Sequence, residues 1–292
     1  MPLTHRQQLV LLIPFMAVVI PFLLCPAVLG FAASFTNYAP FQPAAPVFIG
    51  LHNYERVFGD ESFITSIRNT AVFTFLTVSA ELVIGVAVAY ALRRSFRGRS
   101  LLRFVLLLPW LISPAASGVM WHQLLSSERG LLNFWPTLLR LPPVPYPLVN
   151  APFAAVIAVE VWRKFPLVTF LALPGIESIP AVQWDMARLD GLSIVGRLRH
   201  VVLPRLRLLL LTIGLLLVGD ALGISESVFF LTGGGPGVQT STIGLYSYAK
   251  AIRASNWSFA AIPGWITVVV VLLLGAGYIY FTRPRDNAHA RT

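Results

Sequence analysis

Residues 179–204 read IPAVQWDMARLDGLSIVGRLRHVVLP, from Ile179 to Pro204. The stretch is a polar, arginine-bearing island in a chain that is otherwise strongly apolar. Two short amphipathic patterns meet there at Gly191. Upstream, the pattern predicts a helix over about 181–189, with Trp184 and Ala187 on one side and Asp185 and Arg188 beside them. Docked in a partner's groove, Trp184 would supply buried area and Asp185 a charge-assisted contact. Downstream, Leu192, Val195, Leu198 and Val202 share a helical face, with Arg197, Arg199 and His200 off it. Gly191 is the expected break, because glycine turns sharply between helices at low cost. Pro204 is expected to end the second helix and send the chain back into the membrane. A plain connection needs no paired apolar stripes around a glycine, so the stretch reads as a docking element for a soluble partner.

The surroundings of this island fix the class. Hydrophobic residues make up 56% of the 292 residues and charged residues 12%, and mean hydropathy is +0.74. A soluble domain carries about 25% charge, so this is an all-α membrane protein. Six runs of spanning length are present: 9–35, 71–92, 104–125, 151–173, 206–224 and 259–281. No soluble domain is attached, and residues 1–292 read as one membrane domain with a loop over about 174–204. The segment from Arg6 to Ser34 is longer than a signal-peptide core and reads as an uncleaved first helix. Cys25 within it has no second cysteine to pair with.

The net charge of +10 is topological. Arg93, Arg94, Arg97, Arg99 and Arg103 lie between the second and third spans. Arg188, Arg197, Arg199, Arg205 and Arg207 lie between the fourth and fifth. With Arg6, Arg283, Arg285 and Arg291 these make 14 on one side. The other side has six: Arg56, Arg68, Arg129, Arg140, Lys250 and Arg253. The positive-inside rule therefore places both termini and the 179–204 loop in the cytoplasm and argues against nucleic acid as a partner.

The loop also resembles the cytoplasmic "EAA" loop of permease subunits in binding-protein-dependent ABC importers. That pattern is Glu-Ala-Ala, three residues, Gly, nine residues, Ile, one residue, Leu-Pro. Here the positions hold Asp185-Met186-Ala187, Gly191, Val201 and Leu203-Pro204, without a gap. Ile179-Pro180 and Asp190 match the sugar-importer variant, while Asp185, Met186 and Leu192 depart from it mildly. Three further segments resemble signatures of sugar-type permeases, in family order. They are Phe48-Ile49-Gly50-Leu51-His52-Asn53-Tyr54 with Asn69-Thr70, then Leu108-Pro109-Trp110 with Trp121 and Gly130-Leu131-Leu132-Asn133, and Leu231-Thr232-Gly233-Gly234-Gly235-Pro236. The likeness covers about residues 48–281 and points to the maltose and glycerol-3-phosphate permease group.

No hydrolytic or metal motif competes with this reading. The five histidines are scattered, and Gly191–Leu198 has Arg197 and Leu198 where a phosphate loop needs Lys and Ser/Thr. The intramembrane ionisable residues are the chemistry that remains: Glu81, Glu160, Arg163, Lys164, Asp220 and Glu226. Charges in lipid are costly, so these should face a bundle interior or water. Glu160 and Trp162 in the fourth span, and Asp220, Ser225, Glu226 and Ser227 near the end of the fifth, are substrate-path candidates. Acids, hydroxyls and an aromatic face suit a polyhydroxyl ligand. The alternative is that these charges pair with one another and support structure.

The resemblance implies a six-helix type I importer core in a prokaryotic plasma membrane, non-catalytic in itself. It implies a second homologous permease, two ABC ATPase subunits carrying ATP and Mg, and an external substrate-binding protein. The solute would be a sugar or sugar-like compound, glycerol phosphate and amino sugars included. The rival reading is an ion-coupled secondary transporter using Asp220 or Glu226 as a proton site. That rival needs no docking loop, and the chain shows no evident inverted repeat.

Overall fold

The structure, a computed structural model, describes residues 5–41, 45–126, 130–141 and 147–282. Arg129, Arg283, Arg285 and Arg291 of the sequence reading lie outside the described residues. Among the described residues every named element is helical, and the one extended pairing is an isolated bridge between Thr36 and Phe48. Leu12–Ser34, Glu61–Leu92, Ile194–Gly223 and Trp257–Thr282 are each long and apolar enough to cross a bilayer. Two bent pairs bring the crossing segments to six: Arg99–Leu111 with Pro114–Leu125, and Pro152–Glu177 with Ala181–Leu189. The 26-residue helix Pro152–Glu177 is about 39 Å long, enough for a hydrocarbon core of about 30 Å despite its charges.

Two expectations are corrected. The apolar run 104–125 is not one helix but two, bent by 96°. Ile112 and Ser113 are extended, and Ser113 Oγ caps the second helix by accepting from Ala116 N at 3.2 Å. Pro114 follows in the first turn, where its missing N–H costs nothing. Pro204, in turn, does not end a helix. A π-turn over Leu198–Val202 carries Ile194–Arg197 into Leu203–Gly223, with Leu203 N donating to Leu198 O. The wider turn seats a proline at the start of the next helical segment without breaking the span. The first span uses the same device, a π-turn over Ile20–Leu24 that contains Pro21.

The chain divides into two compact units. The first comprises 1–64 and 246–266. In it the Phe48–Tyr54 segment closes onto the end of the first span. Asn53 Nδ2 donates to Ser34 O at 3.0 Å and Thr36 O at 2.7 Å, and the Tyr54 and Ser34 hydroxyls lie 2.9 Å apart. Asp60 Oδ2 accepts from Tyr246 at 2.7 Å and from Lys250 at 2.9 Å. Phe63, fully buried, packs against the rings of Phe58 and Tyr246.

The second unit comprises 65–245 and 267–292. Its core gathers Phe73, Val86, Val168, Ile176, Val202, Leu206 and Ile213. The second and fourth spans touch at Gly85, where an added Cβ would lie 2.4 Å from Val168 Cβ. Thr169 Oγ1 seals that contact by donating to Gly85 O at 3.2 Å. Small residues give van der Waals area in lipid, where helix association has no hydrophobic drive. At the other end of the second span, Asn69 Nδ2 reaches the carbonyls of Val238, Gln239 and Ser241 at 3.0–3.1 Å. Thr70 Oγ1 accepts from Ile243 N at 2.8 Å. The Asn-Thr pair thus holds the segment that follows the glycine-rich turn.

Candidate functional site

The 179–204 loop begins where the fourth span turns by 87° into the helix Ala181–Leu189. That helix closes on a left-handed Gly191, φ +65°, with Leu192 N donating to Ala187 O and Gly191 N to Arg188 O, both at 3.0 Å. A Cβ at Gly191 would meet nothing within 4 Å. Glycine is needed there for its backbone angle, not for space. Ser193 Oγ then accepts from Gly196 N at 3.2 Å and starts the next helix.

The helix turns its aromatic face inward. The Trp184 ring lies 6.0 Å from that of Tyr90, and the Arg93 guanidinium sits over both, 4.0 Å from Trp184 and 4.1 Å from Tyr90. Ala187 is buried on the same side. Trp184 and Ala187 therefore pack the helix against its own bundle. Asp185 and Arg188 are exposed and paired at 3.1 Å. Asp190 and Pro204 line a shallow cavity of about 420 Å³ with Met186, Ala187 and His200. Leu203 is 44% exposed.

Sequence reasoning missed the outward face. Val182, Met186 and Leu189 stand exposed on the first helix, Leu189 at 87%, and Ile194 and Val195 on the second. The signal was present, since 182, 186 and 189 are spaced i, i+4, i+7. The tryptophan on the opposite face masked it.

In the membrane, Glu160 anchors a closed ion network. Its Oε1 receives Arg163 Nη2 at 2.5 Å and Lys164 Nζ at 2.9 Å; its Oε2 receives Ser227 Oγ at 3.3 Å and Arg163 Nε at 3.4 Å. Lys164 also bonds Asp220 of the fifth span. Glu160 and Ser227 are buried, with their polar atoms taken within the protein. Asp220, 61% exposed along its side chain, and Ser225 and Glu226 face a cavity of about 250 Å³ that Pro114 and Arg163 also line. Trp162 is half-buried and meets Trp121 edge-on at 5.3 Å. The short helix Glu226–Thr232 is pressed on Pro114–Leu125 at Gly118, where a Cβ would lie 2.8 Å from Phe230 Cβ and 2.9 Å from Ser227 O. Of the sequence candidates, the structure thus gathers Asp220, Ser225 and Glu226 on open space and encloses Glu160 and Ser227.

No family model matches the chain. A trehalose/maltose transport system permease protein of Thermococcus litoralis is 32% identical over 279 residues, covering 95% of this chain and 94% of the relative. A probable ABC transporter permease protein of Sinorhizobium fredii is 30% identical over 279 residues, 94% of this chain and 90% of the relative. An sn-glycerol-3-phosphate transport system permease protein of Agrobacterium fabrum is 27% identical, covering 82% of each chain. Among solved structures, a chain of a bacterial alginate ABC transporter shares the fold at a TM-score of 0.78 and 20% identity, over 94% of this chain and 93% of that one. Identity of 32% over nearly the full length of both sequences, on a matching helical fold, leaves one family: this chain belongs to the permease subunits of sugar ABC importers.

Proposed function

We propose that this chain and a second, homologous permease form the path by which a sugar or sugar-like solute crosses a prokaryotic plasma membrane. Both termini and the 179–204 loop face the cytoplasm, where two ATPase subunits bind ATP and Mg. An external binding protein delivers the solute. The observation that carries coupling is the exposed apolar row Val182, Met186, Leu189, Ile194 and Val195, set on the short helix Ala181–Leu189 and the start of the span Ile194–Gly223, with Gly191 fixing the turn between them. Exposed leucine and methionine of this kind suit the groove of a partner. Closure of the ATPases on ATP would push this row and bias the bundle between its two openings. The permease itself hydrolyses nothing; it transmits.

The solute path runs past Asp220, Ser225 and Glu226, whose carboxylates and hydroxyl offer acceptors to sugar hydroxyls. Trp162 and Trp121 supply an aromatic surface nearby. Trehalose and maltose are the first solutes to try. Proteoliposomes holding the whole assembly, with loaded binding protein outside and ATP inside, should accumulate labelled sugar. Accumulation should stop without ATP and survive a protonophore. Uptake that persists without ATP and collapses with the protonophore would instead favour ion-coupled transport.

A further inference from the structure

A second cavity, of about 300 Å³, lies between the end of the second span and the docking helix. Arg93, Arg94, Glu177, Trp184, Asp185 and Arg188 are among the residues that line it. Its charge is unbalanced. Glu177 is already held by Arg99 and, at 2.8 Å, by Arg103. Asp185 is engaged by Arg188. Among the described residues no carboxylate lies within ion-pair reach of Arg93 or Arg94. Arg93 Nε is buried with no acceptor, while Arg93 Nη2 donates to the Tyr90 hydroxyl at 3.2 Å. Burial first, and then repulsion from Arg94, Arg197 and Arg188, holds the Arg93 guanidinium below its ordinary range, against the pull of Tyr90.

The Arg93 guanidinium carbon lies about 4 Å from both ring centroids, which holds the group at the cavity wall beside the exposed Arg94. Arginines that no carboxylate engages match the oxygens of a phosphate better than any neutral group. We propose that this cavity is a binding site for a phosphate-bearing anion, taken from a phospholipid headgroup or from solution. It goes beyond the transport reading and needs no ATPase. Because Arg93 also clamps Trp184, an anion here would fasten the docking helix to the second span.

The test uses the purified full chain with its co-expressed partners in lipid nanodiscs, read by its thermal unfolding midpoint. Discs containing phosphatidylglycerol should raise the midpoint over pure phosphatidylcholine by several degrees, about 3 °C or more. Arg94→Gln/Arg188→Gln should lose at least half of that shift, and Arg207→Gln, outside the cavity, should keep it. If the double variant does not fold, Arg94→Gln alone replaces it, because Arg94 is exposed and beyond the span. Inorganic phosphate added to phosphatidylcholine discs separates the sources: the same Arg94-dependent shift there makes the ligand soluble, and its absence makes it a lipid headgroup. No shift with either anion, or a shift that the cavity variants keep or that Arg207→Gln loses equally, overturns the proposal.

Discussion

The Arg93 guanidinium lies 4.0 Å from the Trp184 ring and ties the helix Ala181–Leu189 to the end of the second span. A cation over an indole contributes about 0.5–2 kcal/mol depending on desolvation. Trp184→Ala removes that contact and its packing together. The expected outcome is a lower unfolding midpoint with the loop loosened, while Trp184→Phe keeps most of both. A thermal melt of the two variants checks it, and equal loss in both would mean that the ring contact is not what matters.

Glu160 holds Arg163 and Lys164 at once. Glu160→Ala leaves two buried cations without their shared anion and should destabilise by about 3–5 kcal/mol. Asp220→Asn touches an exposed partner of Lys164 and should cost about 1 kcal/mol or less. Its effect should appear in sugar uptake instead, through the cavity it lines. Urea or thermal unfolding in detergent, run beside transport, separates the two roles.

At Asp60, burial pushes the carboxyl pKa up, but hydrogen bonds from Lys250, Tyr246 and Ser62 N outweigh it and hold it at about 2. A carboxylate depressed on folding contributes stability fully above its unfolded pKa of about 3.9 and loses it as pH falls toward the folded value. The first unit should therefore weaken between about pH 4 and pH 2, by about 2 kcal/mol. Asp60→Asn should flatten that part of the stability profile and lower the midpoint at neutral pH. A pH series of melts on both proteins measures it.

Gly191 offers a cleaner contrast. Its left-handed backbone excludes β-branched residues but accepts asparagine. Gly191→Asn should leave uptake within about two-fold, whereas Gly191→Val should lose about 1–2 kcal/mol locally and most of the transport. The open space around the Cβ position rules out a steric cause within the chain. Similar uptake in both variants would contradict the requirement for that angle.

Much of this architecture was legible in the residues, and the failures have physical causes. Apolar runs located the spans because lipid demands about 20 such residues. They could not locate the break at Ile112-Ser113, since hydropathy ignores backbone satisfaction. The Ser113-Pro114 pair, a cap followed by a first-turn proline, was the overlooked sign. Pro204 misled for a related reason: a π-turn absorbs the missing donor, and no local rule announces one. The roles of Asn53 and Asn69 needed three dimensions, because their acceptors lie 17 to 172 positions away. The packing of Trp184 was not legible because the helix Ala181–Leu189 is apolar on two faces, and only the position of Arg93 and Tyr90 decides between them.

ATPases docked on the outward row of the 179–204 loop would enclose Leu189, the most exposed member of that row. The measurement is ATP hydrolysis by the reconstituted assembly, stimulated by loaded binding protein, for Leu189→Asp against Trp184→Phe. Burying a carboxylate without a partner in an apolar groove costs several kcal/mol. Membrane insertion should be normal in both, with near-normal stimulation for Trp184→Phe and a loss of about ten-fold or more for Leu189→Asp, whose ATPase subunits should no longer co-purify. Wild-type stimulation and co-purification in Leu189→Asp would contradict docking on that row.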